Sequence, residues 1–230
     1  MRVTERAETC AEVESRPQVR AQKPKQDRSR KTCQALVASG LTVFAKHQLS
    51  DVSVQMIAEA AGVSVGGFYR RFEDRRSFFG VVQQEAISRI WESLVVELEM
   101  AQDEGLGIDG LIERFAHVLV NAYREHRFLF VASIRNINST EISWEPIRKL
   151  GIRFAVYFQE VLSPGLQEIG LSPTVTDFRT CQQIASALLL NAVLNDPGPH
   201  KLESEDMDKL VVQIFRLHLG LPSLEKGERS

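Results

Sequence analysis

The sequence has no apolar run long enough to span a lipid bilayer. Its longest nearly apolar stretch, Ile184 to Leu194, covers about half of the roughly 20 residues that a membrane helix requires, and Asn191 interrupts it. The first residues of the chain are charged where a secretory signal would be apolar. We therefore expect a cytoplasmic protein that has no membrane partner.

Cysteine is scarce, and its distribution argues against a metal site. Cys10, Cys33 and Cys181 are odd in number, lie far apart and do not have the spacing of metal ligands. Reduced thiols that fill the core are expected, in preference to redox chemistry. No metal or cofactor is predicted.

The sequence also lacks the motifs of common catalytic sites. None of its five histidines has a metal-binding spacing such as HExxH, and no glycine-rich loop is suited to cradling a phosphate. No serine or cysteine lies in a nucleophile motif. An all-α enzyme is therefore only a distant alternative.

No segment alternates apolar and polar residues with the two-residue period of a strand, so the predicted fold is all-α. Apolar residues recur instead at three- and four-residue steps, as they do in amphipathic helices. Helices are predicted at about 30–47, at two short segments between 53 and 70, and at about 74–101, 111–122, 127–136, 144–162, 172–195 and 203–219. Pro164 and Gly165 are expected to kink or end the helix in which they occur.

Two short helices joined by a tight turn occupy the segment Asp51 to Phe79. Ser53 and Ser64 each precede one of them, where a hydroxyl can accept a free backbone N–H as an N-cap. Gly62 follows the first helix, because glycine tolerates the left-handed conformation that ends many helices. This arrangement predicts a helix-turn-helix, although a plain structural hairpin would show the same pattern. Asp74 is expected to cap the long helix that comes next.

Charge is distributed unevenly along the chain. From Arg16 to Ile90, thirteen Lys and Arg residues stand against six Asp and Glu residues, a net charge of +7. From Trp91 to the C-terminus, thirteen basic residues stand against twenty acidic ones, a net charge of −7. Basic charge around a helix-turn-helix favours a polyanionic partner, and double-stranded DNA is the one expected.

The same patterns predict the domain organisation. Residues 1–27 are polar and aperiodic and are predicted to be a disordered arm, whose basic second half is suited to a minor groove or to phosphates. A solvated tail or a misassigned start explains that arm equally well. Residues 28–73 form the predicted helix-turn-helix domain, 74–222 a larger helical domain, and 223–230 a flexible tail.

The first half of the sequence resembles a known family. The residues that carry the resemblance are Phe44-Ala45, Ser53-Val54, Ile57-Ala58, Ala61-Gly62-Val63-Ser64, Tyr69-Arg70-Arg71-Phe72 and Arg75. They are similar to the N-terminal signature of the TetR family of bacterial one-component transcriptional regulators, over about Arg30 to Phe79. The chain departs from the usual family pattern at Gln48, where glycine is usual, and at Arg75, where lysine is usual.

The resemblance implies that the helix Ser64 to Arg70 enters the major groove of DNA. Tyr69, Arg71 and Arg75 match positions that grip phosphates, which set register without reading sequence. The residues implied near base edges are Gln55, Val65, Gly66 and Gly67. The complete set of predicted DNA contacts is Ser53, Gln55, Ser64, Val65, Gly66, Gly67, Tyr69, Arg70, Arg71 and Arg75.

Within this helix, the Gly66-Gly67 pair has two interpretations. Each glycine costs roughly 0.8–1 kcal/mol relative to alanine in a helix interior. Absent side chains would let the backbone approach the duplex closely. The other interpretation is a short, frayed helix that DNA binding orders. Phe68 is expected in the core.

For the larger domain the resemblance implies a homodimer in which the last two helices of each copy form a four-helix bundle. The predicted interface residues are Ile184, Leu188, Ala192, Leu210, Ile214 and Leu217. A central helix buried within one subunit explains the apolar run 184–194 as well.

The resemblance also implies a small-molecule effector between the long helix and the helices after it. The candidate lining residues are Trp91, Phe115, Phe128, Phe130, Trp144, Phe154, Tyr157 and Phe158, with His117, Tyr123, Arg135 and Asn138 as polar anchors. The same aromatic spacing is typical of a core. If the pocket exists, its composition favours a mainly apolar ligand.

Together these features predict a ligand-responsive transcriptional repressor of the bacterial cytoplasm. It would bind a palindromic operator as a homodimer, because one small helix reads only a few base pairs, and a small apolar effector would release it. The alternatives of the same fold are an activator and an effector-independent DNA-binding protein. An architectural DNA binder and a helical interaction module remain open as well.

Overall fold

The computed structural model describes residues 23–135, 143–195 and 198–222, with side chains from residue 28 onward. The chain divides into two compact units. Among the described residues, unit 1 comprises 23–86, 132–135 and 143, and unit 2 comprises 87–131, 144–195 and 198–222. Unit 1 therefore includes a second segment that lies far along the chain.

The described residues form helices and no strand, which confirms the all-α prediction. The helices are α1 (Lys23–Lys46), α2 (Val54–Ala60), α3 (Val65–Tyr69), α4 (Arg75–Asp103), α5 (Ile108–Glu125), α6 (Arg127–Arg135), α7 (Glu145–Glu168), α8 (Val175–Asn195) and α9 (Asp206–His218). In the part of the chain that is described, no helix is both long enough and apolar enough to cross a membrane.

Helix α1 begins earlier than its apolar period predicts. It starts at Lys23, inside the segment that the sequence assigns to a disordered arm. Pro24 is compatible with this start, because the first turn of a helix has no use for the N–H group that proline lacks. The predicted arm is therefore too long at its C-terminal end.

Two further helix ends differ from their predicted positions. Helix α7 does not end at Pro164 but continues to Glu168, since Leu162 and Leu166 on either side of the proline are buried in the core. Helix α8 begins at Val175 and not at the predicted Ser172-Pro173. The cause is Asp177, whose carboxylate accepts hydrogen bonds from both the N–H (2.7 Å) and the hydroxyl (2.8 Å) of Thr174.

A cluster of phenylalanines forms the core of unit 1. Phe68 of α3 lies 5.3 Å from Phe72 and 5.2 Å from Phe78 of α4, measured between ring centroids. Phe44 of α1 lies 5.1 Å from Phe79 in an edge-to-face arrangement. Such pairs contribute about 0.5–1.5 kcal/mol each beyond the burial of their area. The cluster therefore fastens α3 to both of the longer helices.

The second segment of unit 1 is joined to α4 and to the α1–α2 loop by polar contacts. The buried Gln83 side chain donates to the hydroxyl of Ser133 (3.1 Å) and to the carbonyl of Ser143 (3.1 Å). The guanidinium of Arg135 donates to Oε1 of Gln48 at 3.1 Å. A buried amide with two partners is costly to leave unpaired, so Gln83 fixes this segment in unit 1.

Unit 2 is built around a second aromatic cluster. Phe115 of α5 stacks on Phe158 of α7, with ring centroids 4.0 Å apart, and Phe215 of α9 lies 5.0 Å from Phe115. Phe178 of α8 contacts Phe158 edge to face at 5.9 Å. Each of these rings is almost completely buried. Four helices thus share one core, with α8 packed on α7 and α9 packed on α5.

The described cysteines are both buried. Cys181 is a free thiol whose pKa burial raises to about 12, so it stays protonated at neutral pH.

Asp74 caps the N-terminus of α4, as predicted. Its carboxylate accepts the N–H of Ser77 at 2.7 Å, and the Ser77 hydroxyl accepts the N–H of Asp74 at 3.2 Å. The hydrogen bond from the Ser77 N–H lowers the pKa of Asp74 from its ordinary value. The cap therefore stabilises the fold in its ionised form.

Asp74→Ala should lower the free energy of unfolding by about 1 kcal/mol at pH 7, whereas Asp74→Asn should retain most of the cap. Because the folded pKa of Asp74 is lowered, the stabilisation is complete above the unfolded pKa of about 3.9 and is lost as the pH falls through the folded pKa. Urea unfolding in a pH series, followed by circular dichroism, measures this. Equal stability of wild type and Asp74→Ala at pH 7 would contradict the role of the cap.

Candidate nucleic-acid interface and ligand cavity

Helix α2 begins and ends as the sequence predicts. The hydroxyl of Ser53 accepts the N–H of Met56 at 3.1 Å. At the other end Gly62 has φ of +64°, and the N–H of Val63 reaches back to the carbonyl of Ala58 at 2.9 Å. This six-residue closure with a left-handed glycine is a common way to end a helix and turn the chain sharply. It sets the angle at which α3 leaves α2.

Helix α3 presents two large side chains to solvent. The hydroxyl of Ser64 caps it by accepting the N–H of Gly67 at 3.1 Å, and Phe68 is fully buried beneath it, as predicted. Val65 and Tyr69 lie one turn apart on the same face and are 41% and 49% exposed. An exposed valine and tyrosine on a helix anchored from below are suited to contact with a partner.

The two adjacent glycines of α3 have different surroundings. Gly66 is exposed, and a Cβ atom placed on it would meet nothing within 4 Å. Gly67 is buried, and a Cβ atom there would lie 2.6 Å from Cγ1 of Val63 in the turn. The interpretation of the pair as a close approach to DNA therefore applies to Gly66 alone, since Gly67 is required by the packing of the turn.

Two arginines predicted to grip phosphates have hydrogen bonds within unit 1. Nη1 of Arg71 donates to the carbonyl of Gly67 at 2.8 Å, and its Nε is buried without a partner among the described residues. Nη1 of Arg75 donates to the carbonyls of Val52 and Ser50, the latter at 3.2 Å. Both side chains are half-buried. These hydrogen bonds stabilise the positions of α3 and of the loop before α2.

The remaining predicted contacts lie on the surface. Arg70 is exposed, and its Nε donates to the carbonyl of Gly66 at 3.2 Å. Ser53 and Ser64 are exposed next to the helix ends that they cap. Gln55 is exposed too, but its amide donates to the carboxylate of Glu59 at 2.9 Å. Sequence reasoning missed Glu59, although its position four residues after Gln55 places both side chains on one face of α2.

Unit 2 contains a cavity of about 600 Å³. Four of the predicted ligand residues line it, namely Trp144, Phe154 and the buried Tyr123 and Phe130. Its other walls come from α7 and α8, including Gly151, Gln182 and Ser186. Sequence reasoning missed these three residues, because nothing in their spacing distinguishes them from other helix positions.

Most of the other predicted ligand residues have roles outside this cavity. Phe115 and Phe158 belong to the stacked core of unit 2, and Arg135 lies in unit 1, where it contacts Gln48. The Trp91 ring pairs with Tyr157 and carries the guanidinium of Arg153 at 3.7 Å from its centroid. Phe128 is half-buried at 6.3 Å from the ring of His126. Asn138 lies outside the described residues.

His117 lines a second, surface groove of about 1140 Å³ between α5 and α9. Its Nδ1 lies 3.3 Å from a carboxylate oxygen of Asp208, and its Nε2 lies 2.8 Å from Nδ2 of Asn121. Arg124 donates to the other oxygen of Asp208 at 2.9 Å. His117 therefore joins a polar network across α5 and α9 and does not line the cavity of about 600 Å³.

The predicted interface residues of α8 and α9 are exposed to different degrees. Leu210, Ile214 and Leu217 lie along one side of α9, and Leu217 is 73% exposed, the highest value for a large apolar side chain in the described ranges. On α8, Ile184 and Leu188 are half-buried. Ala192 is buried within the subunit and has no surface to offer a partner, which corrects its assignment to the interface.

Comparison with known proteins gives a match in unit 1. Residues 36–82 match the family described as "Bacterial regulatory proteins, tetR family". The chain is 33% identical over 108 residues to the HTH-type transcriptional regulator AcrR of Shigella flexneri, covering 46% of this chain and 48% of the relative. It is 40% identical over 68 residues to the HTH-type transcriptional repressor DhaR of Mycobacterium sp. (strain GP1), covering 30% and 34%. The chain thus spans half or less of the length of these curated relatives.

Solved structures extend the similarity of fold to both units. A crystal structure of Thermus thermophilus FadR, a TetR-family transcriptional repressor in complex with lauroyl-CoA, aligns with a TM-score of 0.58 and 16% sequence identity. The alignment covers 86% of this chain and 99% of that chain. At this level of identity the likeness concerns the fold alone.

The two glycines of α3 should respond in opposite ways to alanine. Gly67→Ala places its Cβ against Val63 and should destabilise unit 1 by about 1–3 kcal/mol. Gly66→Ala meets no atom and should stabilise it by roughly 0.5–1 kcal/mol through helix propensity. Urea unfolding of the two variants measures the contrast. Similar effects of both substitutions would show that the turn does not need a glycine at 67.

Proposed function

We propose that this chain, whose residues 36–82 match the bacterial TetR family of regulatory proteins, is a homodimeric, ligand-responsive transcriptional repressor of that family. The observation that carries the proposal is the capped, two-helix motif with Val65 and Tyr69 exposed on a short helix whose other face is buried. A relative described as a transcriptional repressor supports the direction of regulation.

In the proposed complex, α3 enters the major groove with Val65, Gly66 and Tyr69 towards the DNA. Valine offers a methyl surface for thymine, and the open space around Gly66 permits a close backbone approach. Arg70 is exposed beside them and supplies positive charge for the phosphates. Few side chains of α3 would contact bases, so one copy would bind DNA weakly. A dimer that binds two half-sites would supply the affinity that one copy lacks.

Arg71 and Arg75 have a mainly structural part in this proposal. One nitrogen of each guanidinium donates a hydrogen bond to a backbone carbonyl, and the positive charge of each side chain remains next to the helix-turn-helix. A cation that is held in place loses less conformational entropy when it meets a phosphate than a free side chain does. These two residues would therefore position the motif and add electrostatic attraction to DNA.

The homodimer would form through the exposed sides of α8 and α9. Leu210, Ile214 and Leu217 recur at four- and three-residue steps along α9, and Ile184 and Leu188 are four residues apart on α8. Helices α8 and α9 pack against each other, so these side chains form one apolar surface. In a twofold dimer the same surface of each copy contacts the other, and an apolar surface is complementary to itself.

The cavity of unit 2 is the proposed effector site. Its volume of about 600 Å³ lies within the range of small-molecule pockets, and aromatic side chains form much of its wall. A ligand would stabilise one arrangement of α4, the helix that begins at Asp74 directly after the motif, and would thereby change DNA affinity. The fatty-acyl ligand of the Thermus thermophilus protein is compatible with an apolar site of this kind.

The DNA assignment predicts that Arg70→Gln reduces the salt dependence of binding. Each lost phosphate contact should lower the slope of log K against log salt concentration by about 0.9. Arg179→Gln removes an exposed arginine of unit 2 and should leave the slope unchanged. DNA selected from a random pool by the wild-type protein, then titrated by fluorescence anisotropy at several salt concentrations, provides the measurement.

On the same DNA, Tyr69→Ala should weaken binding about tenfold or more, because it removes the largest exposed side chain of α3. Circular dichroism of the variant controls for folding. If the selection enriches no sequence, or if Arg70→Gln and Arg179→Gln give the same slope, the assignment of α3 as the recognition helix is wrong.

The dimer assignment predicts that Leu217→Lys raises the dimer dissociation constant roughly 100-fold. Each copy would lose the burial of one leucine, worth about 1.5–3 kcal/mol. Ile169→Lys is the matched control, since Ile169 is also an exposed apolar residue (52%) but follows α7. Sedimentation equilibrium measures both variants. A dimer that tolerates Leu217→Lys as well as Ile169→Lys would place the interface elsewhere.

A further inference from the structure

The cavity of unit 2 contains a buried polar group whose hydrogen-bonding capacity is not used. Gln182 is only 7% exposed, and its Oε1 atom has no hydrogen-bond partner among the described residues. The amide nitrogen of the same side chain donates to the hydroxyl of Ser186 at 3.0 Å, which fixes the orientation of the amide. A buried acceptor that loses its water without gaining a donor destabilises the fold, so this position favours a ligand that supplies a donor.

The neighbours of Gln182 extend this group into a neutral polar patch. Ser186 of α8 and Tyr123 of α5 both line the cavity, and the Ser186 hydroxyl is the partner of the Gln182 amide. Burial raises the pKa of Tyr123 to about 12, so its hydroxyl stays protonated over the physiological range. On α7, Gly151 faces Gln182, since a Cβ atom there would be 3.9 Å from Cγ of Gln182. The missing side chain leaves room beside the amide.

The charges around the cavity restrict the ligand further. The lining includes two arginines, Arg148 and Arg179, and no carboxylate among the described residues. Arg148 is already paired with Glu145, with two nitrogen–oxygen distances of 2.6 Å. A cationic ligand would lie beside like charges with no carboxylate of the lining to pair with it, which disfavours its binding. The donor that Gln182 lacks should therefore come from an uncharged group.

We propose that the cavity binds an aromatic or alicyclic molecule that carries an uncharged hydroxyl or amide N–H, and that this group donates to Oε1 of Gln182. The inference rests on the proposed function for the identification of this cavity as the effector site. This inference restricts the ligand from apolar molecules in general to apolar molecules that carry one uncharged hydrogen-bond donor. The walls from Trp144, Phe130 and Phe154 contact that body.

Three biphenyl probes that differ in one substituent test the proposal by isothermal titration calorimetry with the full-length protein. 4-Phenylphenol offers a donor, 4-methoxybiphenyl has the same body without a donor, and 4-phenylbenzylammonium carries a cation. The wild-type protein should bind 4-phenylphenol about five- to tenfold more tightly than 4-methoxybiphenyl. It should not bind the cation measurably.

Gln182→Met keeps the size of the side chain and removes the acceptor, so it should abolish the preference for 4-phenylphenol. Gln183→Met is the matched control, because Gln183 also lines the cavity but is exposed, and it should retain the preference. The comparison of probes on the wild-type protein tests the proposal even if Gln182→Met does not fold.

Equal affinity of the wild-type protein for the phenol and its methyl ether would overturn the proposal and would assign the acceptor to a buried water. A preference that survives Gln182→Met would overturn it as well, as would the absence of binding by all three probes. The DNA titration separates this inference from the proposed function. If the protein binds its selected DNA but does not discriminate between the probes, only the present inference is wrong. If it discriminates between the probes but binds no DNA, the proposed regulatory function is wrong.

Discussion

A helix of five residues has no stability of its own in water, and this constraint governs unit 1. Helix α3 is far shorter than the roughly 12–15 residues that an isolated helix needs, and two of its five residues are glycine. Contacts with the rest of unit 1 must therefore stabilise this helix. They are the cap by Ser64, the packing of Gly67 against Val63 and the burial of Phe68 among aromatic rings. The exposed face is left free to vary because the buried face supplies the stability.

The same constraint explains how unit 1 uses its positive charge. Arg71 and Arg75 donate to backbone carbonyls of α3 and of the loop before α2, so part of the basic excess stabilises the motif. Exposed residues such as Arg70 carry the charge that faces solvent. A count of basic residues along the chain therefore overstates how many of them are available to a polyanion.

Local rules predicted the first unit well. Ser53, Gly62, Ser64 and Asp74 have the capping or turning roles that their positions indicate, because these roles depend on neighbours within a few residues. The end of α7 was missed because a longer-range effect decides it, whereas the start of α8 was missed although its cause, the hydrogen bonds of Thr174 to Asp177, is local. The burial of Leu162 and Leu166 carries α7 past its proline, and no local pattern contains that information.

The cavity shows the limit of sequence reasoning most clearly. An aromatic residue at a helical spacing has the same signature in a core as in a pocket, so Phe115 and Phe158 could not be separated from Phe154 in advance. Gln182 and Ser186 had no signature at all. Their importance comes from the burial of Gln182, from its unpaired Oε1 atom and from the cavity that both residues line, all of which depend on how the chain folds.

Unit 1 is not a contiguous stretch of the chain, and this has a consequence for its modularity. Gln83, near the end of its first segment, is satisfied by Ser133 and Ser143, which the chain supplies only after much of unit 2 has been made. A fusion protein that takes only the first 86 residues would leave that amide without its partners. An exchange of the helix-turn-helix between proteins should therefore be better tolerated when residue 83 is matched to the hydroxyl at position 133 and to the backbone carbonyl at position 143.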